Sequence, residues 1–146
     1  MDTNHCIYLI SGLEKPYHKR TQPEKMVIET LELLQDIPLY FSEATLGELY
    51  YGIARSQRKE QNIKKLEFLK RLLDRLPVTL DVWKLFGETL AELHNQGKPI
   101  ADRDLLIACT ANVYDLILVT NDKNLDNLPD SFKKVNWVKV KNKRRQ

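Results

Sequence analysis

The sequence predicts an α/β fold, a parallel sheet covered by helices on both faces. Two observations point to it. Segments with apolar residues at helical spacing alternate with short apolar runs that stop at polar loops. That alternation favours parallel strands joined by helical crossovers. The length, 146 residues, suits one domain with a proper core. No internal repeat, low-complexity stretch or linker divides the chain. Residues 1–138 read as the domain and 139–146 as a basic tail.

The elements follow in order. His5 to Ser11 reads as a short helix ending at Gly12, with Thr3 or Asn4 as its N-cap. Glu14 to Arg20 is a polar loop. Pro23 suits the first turn of a second helix, in which Met26, Val27, Thr30, Leu31 and Leu34 recur at helical spacing up to Asp36. Pro38 to Ser42 is a strand candidate. Thr45 opens the next helix, whose stripe is Leu46, Leu49, Tyr50 and Ile53. Thr45 and Glu48 have the spacing of a capping box, which makes a cap the local reading of Glu48.

Glu60 to Leu76 reads as one long amphipathic helix, apolar over a broad surface. Pro77 to Leu80 reads as a brief strand. Val82, Leu85, Phe86, Leu90 and Leu93 build a helix that stops before Gly97. The next helix has an acidic first turn and an apolar body. Ile107, Ala108 and Ala111 lie at i+3, i+4 and i+7 from Asp104, so this carboxylate tops a buried stripe. Leu116 to Val119 is a strand ending at Thr120-Asn-Asp122. A short turn and a last strand, Val135 to Val138, complete the chain.

Composition narrows the function. Hydrophobic residues make up 42% of the chain, which excludes wholesale disorder. No apolar run approaches a membrane span. No charged-then-apolar leader opens the chain, so the cytoplasm is the expected compartment. Cys6 and Cys109 lie in apolar helical patterns and read as buried thiols. His5, His18 and His94 are scattered, and no Cys or His cluster has zinc-ligand spacing. The net charge of +3 is mild. Its distribution says more: basic groups run through Arg55, Arg58, Lys59, Lys64 and Lys65, and again from Lys139 to Arg145. Each alone reads as solvated surface. Set around an acidic pocket, they would draw in a polyanion.

Four acids stand at element boundaries: Asp2, Glu48, Asp104 and Asp122. In open α/β sheets, sites form at the carboxyl ends of strands. Clustered carboxylates repel one another unless something compensates. A hard divalent cation does so, and Mg²⁺ or Mn²⁺ prefers carboxylate oxygens. Such a centre can hold phosphate oxygens and activate a water.

Asp2-Thr-Asn4, Glu48-Leu-Tyr-Tyr-Gly52, Asp104-Leu-Leu-Ile-Ala-Cys109 and Val119-Thr-Asn-Asp122 resemble the ordered motifs of PIN-domain proteins, in particular the VapC toxins of type II toxin–antitoxin pairs. The resemblance runs from Asp2 to Trp137. It implies a three-layer, Rossmann-like fold and a Mg²⁺- or Mn²⁺-dependent endoribonuclease, with a cognate antitoxin as partner and a homodimer. Carried over by position, Asp2 and Asp104 would be the principal metal ligands. Glu48 would complete the acidic cluster, and Asp122 would bind a second ion or act through water. Thr120 and Asn4 would support the cluster. Asp102 would cap or charge its helix, since Asp104 is the acid that matches. Arg55, Arg58, Lys141 and Arg144 would hold the RNA backbone.

One departure bears on the fold. In PIN domains the first Asp follows an apolar strand at the centre of the sheet, and here it is residue 2. The central strand is therefore expected to be missing or reduced to Met1, with Asp2 on a frayed terminus. A start codon further upstream would explain this, and so would a degenerate, inactive protein. The second functional reading follows: a PIN-like module that binds antitoxin or RNA without cleavage. A phosphoryl-transfer domain with Asp2 as nucleophile fits poorly, because position 4 is Asn and no Gly-rich phosphate loop is present.

Overall fold

The computed structural model describes residues 1–139. Six helices alternate with four short strands. They are α1 (Thr3–Leu13), α2 (Gln22–Leu33), β1 (Tyr40–Ser42), α3 (Glu43–Arg55), α4 (Lys59–Leu72), β2 (Asp74–Leu76), α5 (Leu80–Asn95), α6 (Asp102–Val113), β3 (Leu118–Val119) and β4 (Lys134–Val135). Both ladders are parallel, as the alternation predicts. Tyr40, Phe41 and Ser42 pair with Asp74, Arg75 and Leu76; Leu118 and Val119 pair with Lys134 and Val135.

Met1 and Asp2 lie between the two ladders. The Met1 amine donates to the Tyr40 carbonyl at 2.8 Å, and the Asp2 N–H donates to the Val119 carbonyl at 2.9 Å. The expectation of a frayed Asp2 is therefore corrected: Met1 and Asp2 are both buried. The centre of the sheet is reduced to this single link. Beyond it, at the amino ends of β1 and β3, an apolar slot of about 430 Å³ opens, lined by Met1, Leu39, Phe41, Ile107, Leu118 and Trp137 among others.

Two apolar cores flank the strands. One gathers Cys6, Leu9, Val27, Phe41 and Leu69 from α1, α2, β1 and α4. The other gathers Val82, Leu93, Leu105, Ile107, Leu118 and Phe132 around α5, α6 and β3. Both thiols are fully buried, as expected, and burial pushes each up to about 12. Gly12 lies inside α1 rather than at its end. A Cβ there would meet Ile28 Cδ1 at 2.6 Å, so this position sets how closely α1 approaches α2.

Several boundaries differ from the sequence reading; the last strand, read as Val135 to Val138, is Lys134–Val135. The helix read as Glu60 to Leu76 stops at Leu72, and Asp74–Leu76 is the strand that pairs with β1. Its residues are mostly exposed and carry no apolar signature. Pro77 to Leu80 is not a strand; Thr79 caps α5 instead. The N-cap of α1 is Asp2, not Thr3 or Asn4.

Candidate active site

The N-cap of α1, the second turn of α3, the first turn of α6 and the loop after β3 each bring one acid to the carboxyl end of the strands. Asp2 caps α1, its Oδ1 accepting the His5 backbone N–H at 2.9 Å. The same oxygen lies 2.9 Å from His5 Nδ1. Burial alone would raise the Asp2 carboxyl. The hydrogen bonds from the His5 side chain and backbone, with help from the Thr120 hydroxyl, outweigh it and hold Asp2 below its ordinary value.

Glu48 is not a cap. Ser42 caps α3, its hydroxyl accepting the Ala44 N–H at 3.1 Å. Thr45 is buried. Glu48 Oε1 instead accepts the Thr3 hydroxyl at 2.8 Å, and that hydroxyl lies 3.2 Å from Thr45 Oγ1. The local spacing of a capping box lost to a partner 45 residues away. Arg103 reaches the other oxygen of Glu48 at 4.0 Å.

Asp104 is the third residue of α6 and half-buried. Burial pushes its carboxyl above the ordinary range. The charges of Asp122, Glu48 and Asp2, in that order, push it further, and Arg103 partly offsets them. All four acids therefore share one field. Asp122 ends the loop after β3, its Oδ1 accepting the Asn124 N–H at 2.9 Å. Its own N–H donates to Thr120 Oγ1 at 3.2 Å. Thr120 is buried between Asp2 and Asp122 in this chain of contacts. Asp102 opens α6 as a first-turn charge; Ala101 holds the cap position.

Asn4 is exposed and makes no side-chain hydrogen bond among the described residues. Arg55 donates to the Tyr51 hydroxyl at 3.0 Å, with its guanidinium 5.4 Å from the ring centroid. Arg103 stands 5.9 Å from the same ring. Tyr51 lies one helical turn from Glu48, so this aromatic and its two cations sit at the lip of the acidic site. Arg58 is exposed and makes no ion pair among the described residues. Lys141 and Arg144 lie outside the described residues. Sequence reasoning missed Thr3, His5, Thr45 and Arg103. His5 was legible only through its spacing, three residues after a helix-capping acid.

The donor set suits a hard cation: four carboxylates with mutual repulsion to relieve. The Asn121 side-chain oxygen, between Thr120 and Asp122, is buried without a hydrogen-bond partner. Among the described residues, no three His, Cys, Asp or Glu side chains stand close enough to ligate one ion as they are. The chemistry of the donor set fits a divalent cation.

This arrangement places the protein in a known class. Residues 1–131 match the PIN domain model, and the chain belongs to that family. It is 33% identical over 141 residues to Ribonuclease VapC2 of Rickettsia felis, covering 95% of this chain and 97% of that one. It is 40% identical over 143 residues to Ribonuclease VapC2 of Haemophilus influenzae, covering 94% and 96%. Its fold matches the crystal structure of VapBC2 from Rickettsia felis bound to a promoter DNA fragment. The TM-score is 0.78 at 32% identity, over 93% of this chain and 96% of that one. The α/β fold with parallel strands is thus a PIN fold.

Proposed function

We propose that this chain is a VapC-like endoribonuclease toxin, dependent on Mg²⁺ or Mn²⁺ and working in the cytoplasm under the control of a cognate antitoxin. The observation that carries the reading is the convergence of Asp2, Glu48 and Asp122, from three other segments, on Asp104, whose carboxyl is pushed up first by burial and then by their charges. A bound cation would relieve that repulsion, polarise the scissile phosphate and lower the pKa of an attacking water. Asp2 and Asp104 would be its principal ligands, with Glu48 and Asp122 completing the shell. Thr3 orients Glu48, and Thr120 spans Asp2 and Asp122.

Arg55 and Arg103 would contact the RNA backbone, which positions the strand without reading its sequence. Tyr51 offers a face on which an unstacked base can lie. The antitoxin reading draws on relatives solved as VapBC complexes. It also draws on a groove of about 450 Å³ between α1, α3 and α4, which Ile7, Ile10, Ile53 and Leu66 line and which reaches Glu48. A peptide laid there would cover the acids. A homodimer is part of the proposal. Among the described residues, no helix is long and apolar enough to cross a membrane.

The test is cleavage of a structured RNA with and without Mg²⁺ or Mn²⁺, in the wild type and in Asp104→Asn. Metal-dependent cleavage lost in the variant supports the enzyme. Antitoxin binding without any metal-dependent cleavage supports the second reading, a non-catalytic module.

A further inference from the structure

His5 is wholly buried. Its Nδ1 and its backbone N–H both reach Asp2 Oδ1, each at 2.9 Å. A carboxylate only accepts hydrogen bonds, so Nδ1 is the donor and Nε2 is left to find another partner. That Nε2 is buried and has no hydrogen-bond partner. Tyr8 packs edge-on against the ring at a centroid distance of 6.0 Å, offering it a hydrophobic wall. The α1 cap does not need the imidazole, because the His5 backbone N–H already supplies the capping bond. The fold therefore carries an orphaned polar nitrogen in its interior, which costs stability. In return it gains one side-chain hydrogen bond to one oxygen of Asp2. A leucine would fill the space without the orphan.

We propose that His5 is a positioning residue for the metal centre, fixing the Asp2 carboxylate through Oδ1 and leaving Oδ2 outside both His5 bonds, where it would be available to a divalent cation. This rests on the metal-dependent reading above. Two donors on Oδ1 restrict rotation of the carboxyl group. Groups that orient a ligand in this way typically change metal affinity by roughly 10–100-fold when removed.

The experiment measures Mn²⁺ affinity by titration calorimetry and metal-free thermal unfolding in EDTA, for the wild type, His5→Leu, His5→Asn and Asp104→Asn. In His5→Leu, Mn²⁺ binding weakens about tenfold or more, and the metal-free midpoint falls because the buried Asp2 carboxylate loses a donor. In His5→Asn, an amide donor returns near the Nδ1 position on a smaller side chain. Its affinity stays within about threefold of wild type, and its midpoint falls. Affinity and stability thus part company. Wild-type affinity in His5→Leu overturns the inference. So does affinity that merely follows the midpoint through both variants. A wild type that binds no Mn²⁺ overturns the metal-dependent reading, and the His5 role with it. Wild-type binding that is lost in Asp104→Asn keeps that reading, whatever His5→Leu does.

Discussion

The two ends of the strands are finished in opposite ways. At the carboxyl end, polar groups are tied down over short distances. Asp2 takes two bonds from His5, Glu48 one from Thr3, and Asp122 one from Asn124. At the amino end, only Met1 and the Asp2 backbone N–H bridge the ladders, and an apolar slot lies open beyond them. The ladders themselves hold three and two residue pairs. The acids are therefore placed less by the length of the sheet than by helix opening turns and caps, which need little strand to anchor them.

The comparison breaks most sharply at Asp104. Asp104→Asn is expected to lower RNA cleavage by at least about a hundredfold, read as initial rates with saturating Mn²⁺. The same change should raise the metal-free thermal midpoint at neutral pH. The folded-state pKa of Asp104 is raised, so its ionised form is disfavoured in the fold. That penalty is absent below the ordinary carboxylate range and develops as pH rises through the raised value. The stability gain should therefore vanish in calorimetry at acid pH. A variant less stable than wild type at pH 7 would show that Asp104 has a structural bond instead.

Asp2 should behave in the reverse sense. Its folded-state pKa is lowered, so its contribution to stability is present above the ordinary carboxylate value and is lost as pH falls through the lowered one. Asp2→Ala removes a cap and the partner of a buried histidine. It should cost about 2 kcal/mol in urea unfolding at pH 7, and much less at acid pH. Equal losses at both pH values would mean that packing, not the carboxylate, is what Asp2 supplies.

The amino end is probed by filling it. Four apolar β-formers placed ahead of Met1 would enter the slot and turn the buried amine, which burial holds below its ordinary pKa, into a peptide N–H. Side-chain burial of roughly 1.5–3 kcal/mol per buried residue exceeds an ordering cost of about 1–2, so the extended protein should unfold at a higher midpoint. A lower unfolding midpoint in the extended protein would mean that the slot does not accept a strand.

The smallest effect is electrostatic. Arg103→Ala should weaken RNA binding across sequences and flatten the salt dependence by about 0.7 in log–log slope, the value for one single-strand phosphate contact. Neutralising Lys139 to Arg145 should flatten it further. An unchanged slope would remove either group from the RNA-binding surface.

Much of the site was legible because acids at element boundaries leave a sequence signal. Asp2, Glu48, Asp104 and Asp122 each follow a strand or open a helix. Their partners left none: Thr3 reads as a cap, and Arg103 as one more exposed charge. The strand Asp74-Arg-Leu76 reads as the continuation of α4, because exposed residues beside a long amphipathic helix carry no period of two.

The sequence by itself determined the alternation of helices and strands, the parallel sheet it demands and the four acids at its carboxyl end. Those follow from local periodicity, which each segment carries alone. Only the tertiary structure decided that Glu48 binds Thr3 rather than capping its own helix, that Asp2 is buried, and that His5 belongs to the site. A polar side chain chooses among local and distant partners of similar strength. That choice is settled only when burial removes water and leaves whichever partner the packed helices bring within reach.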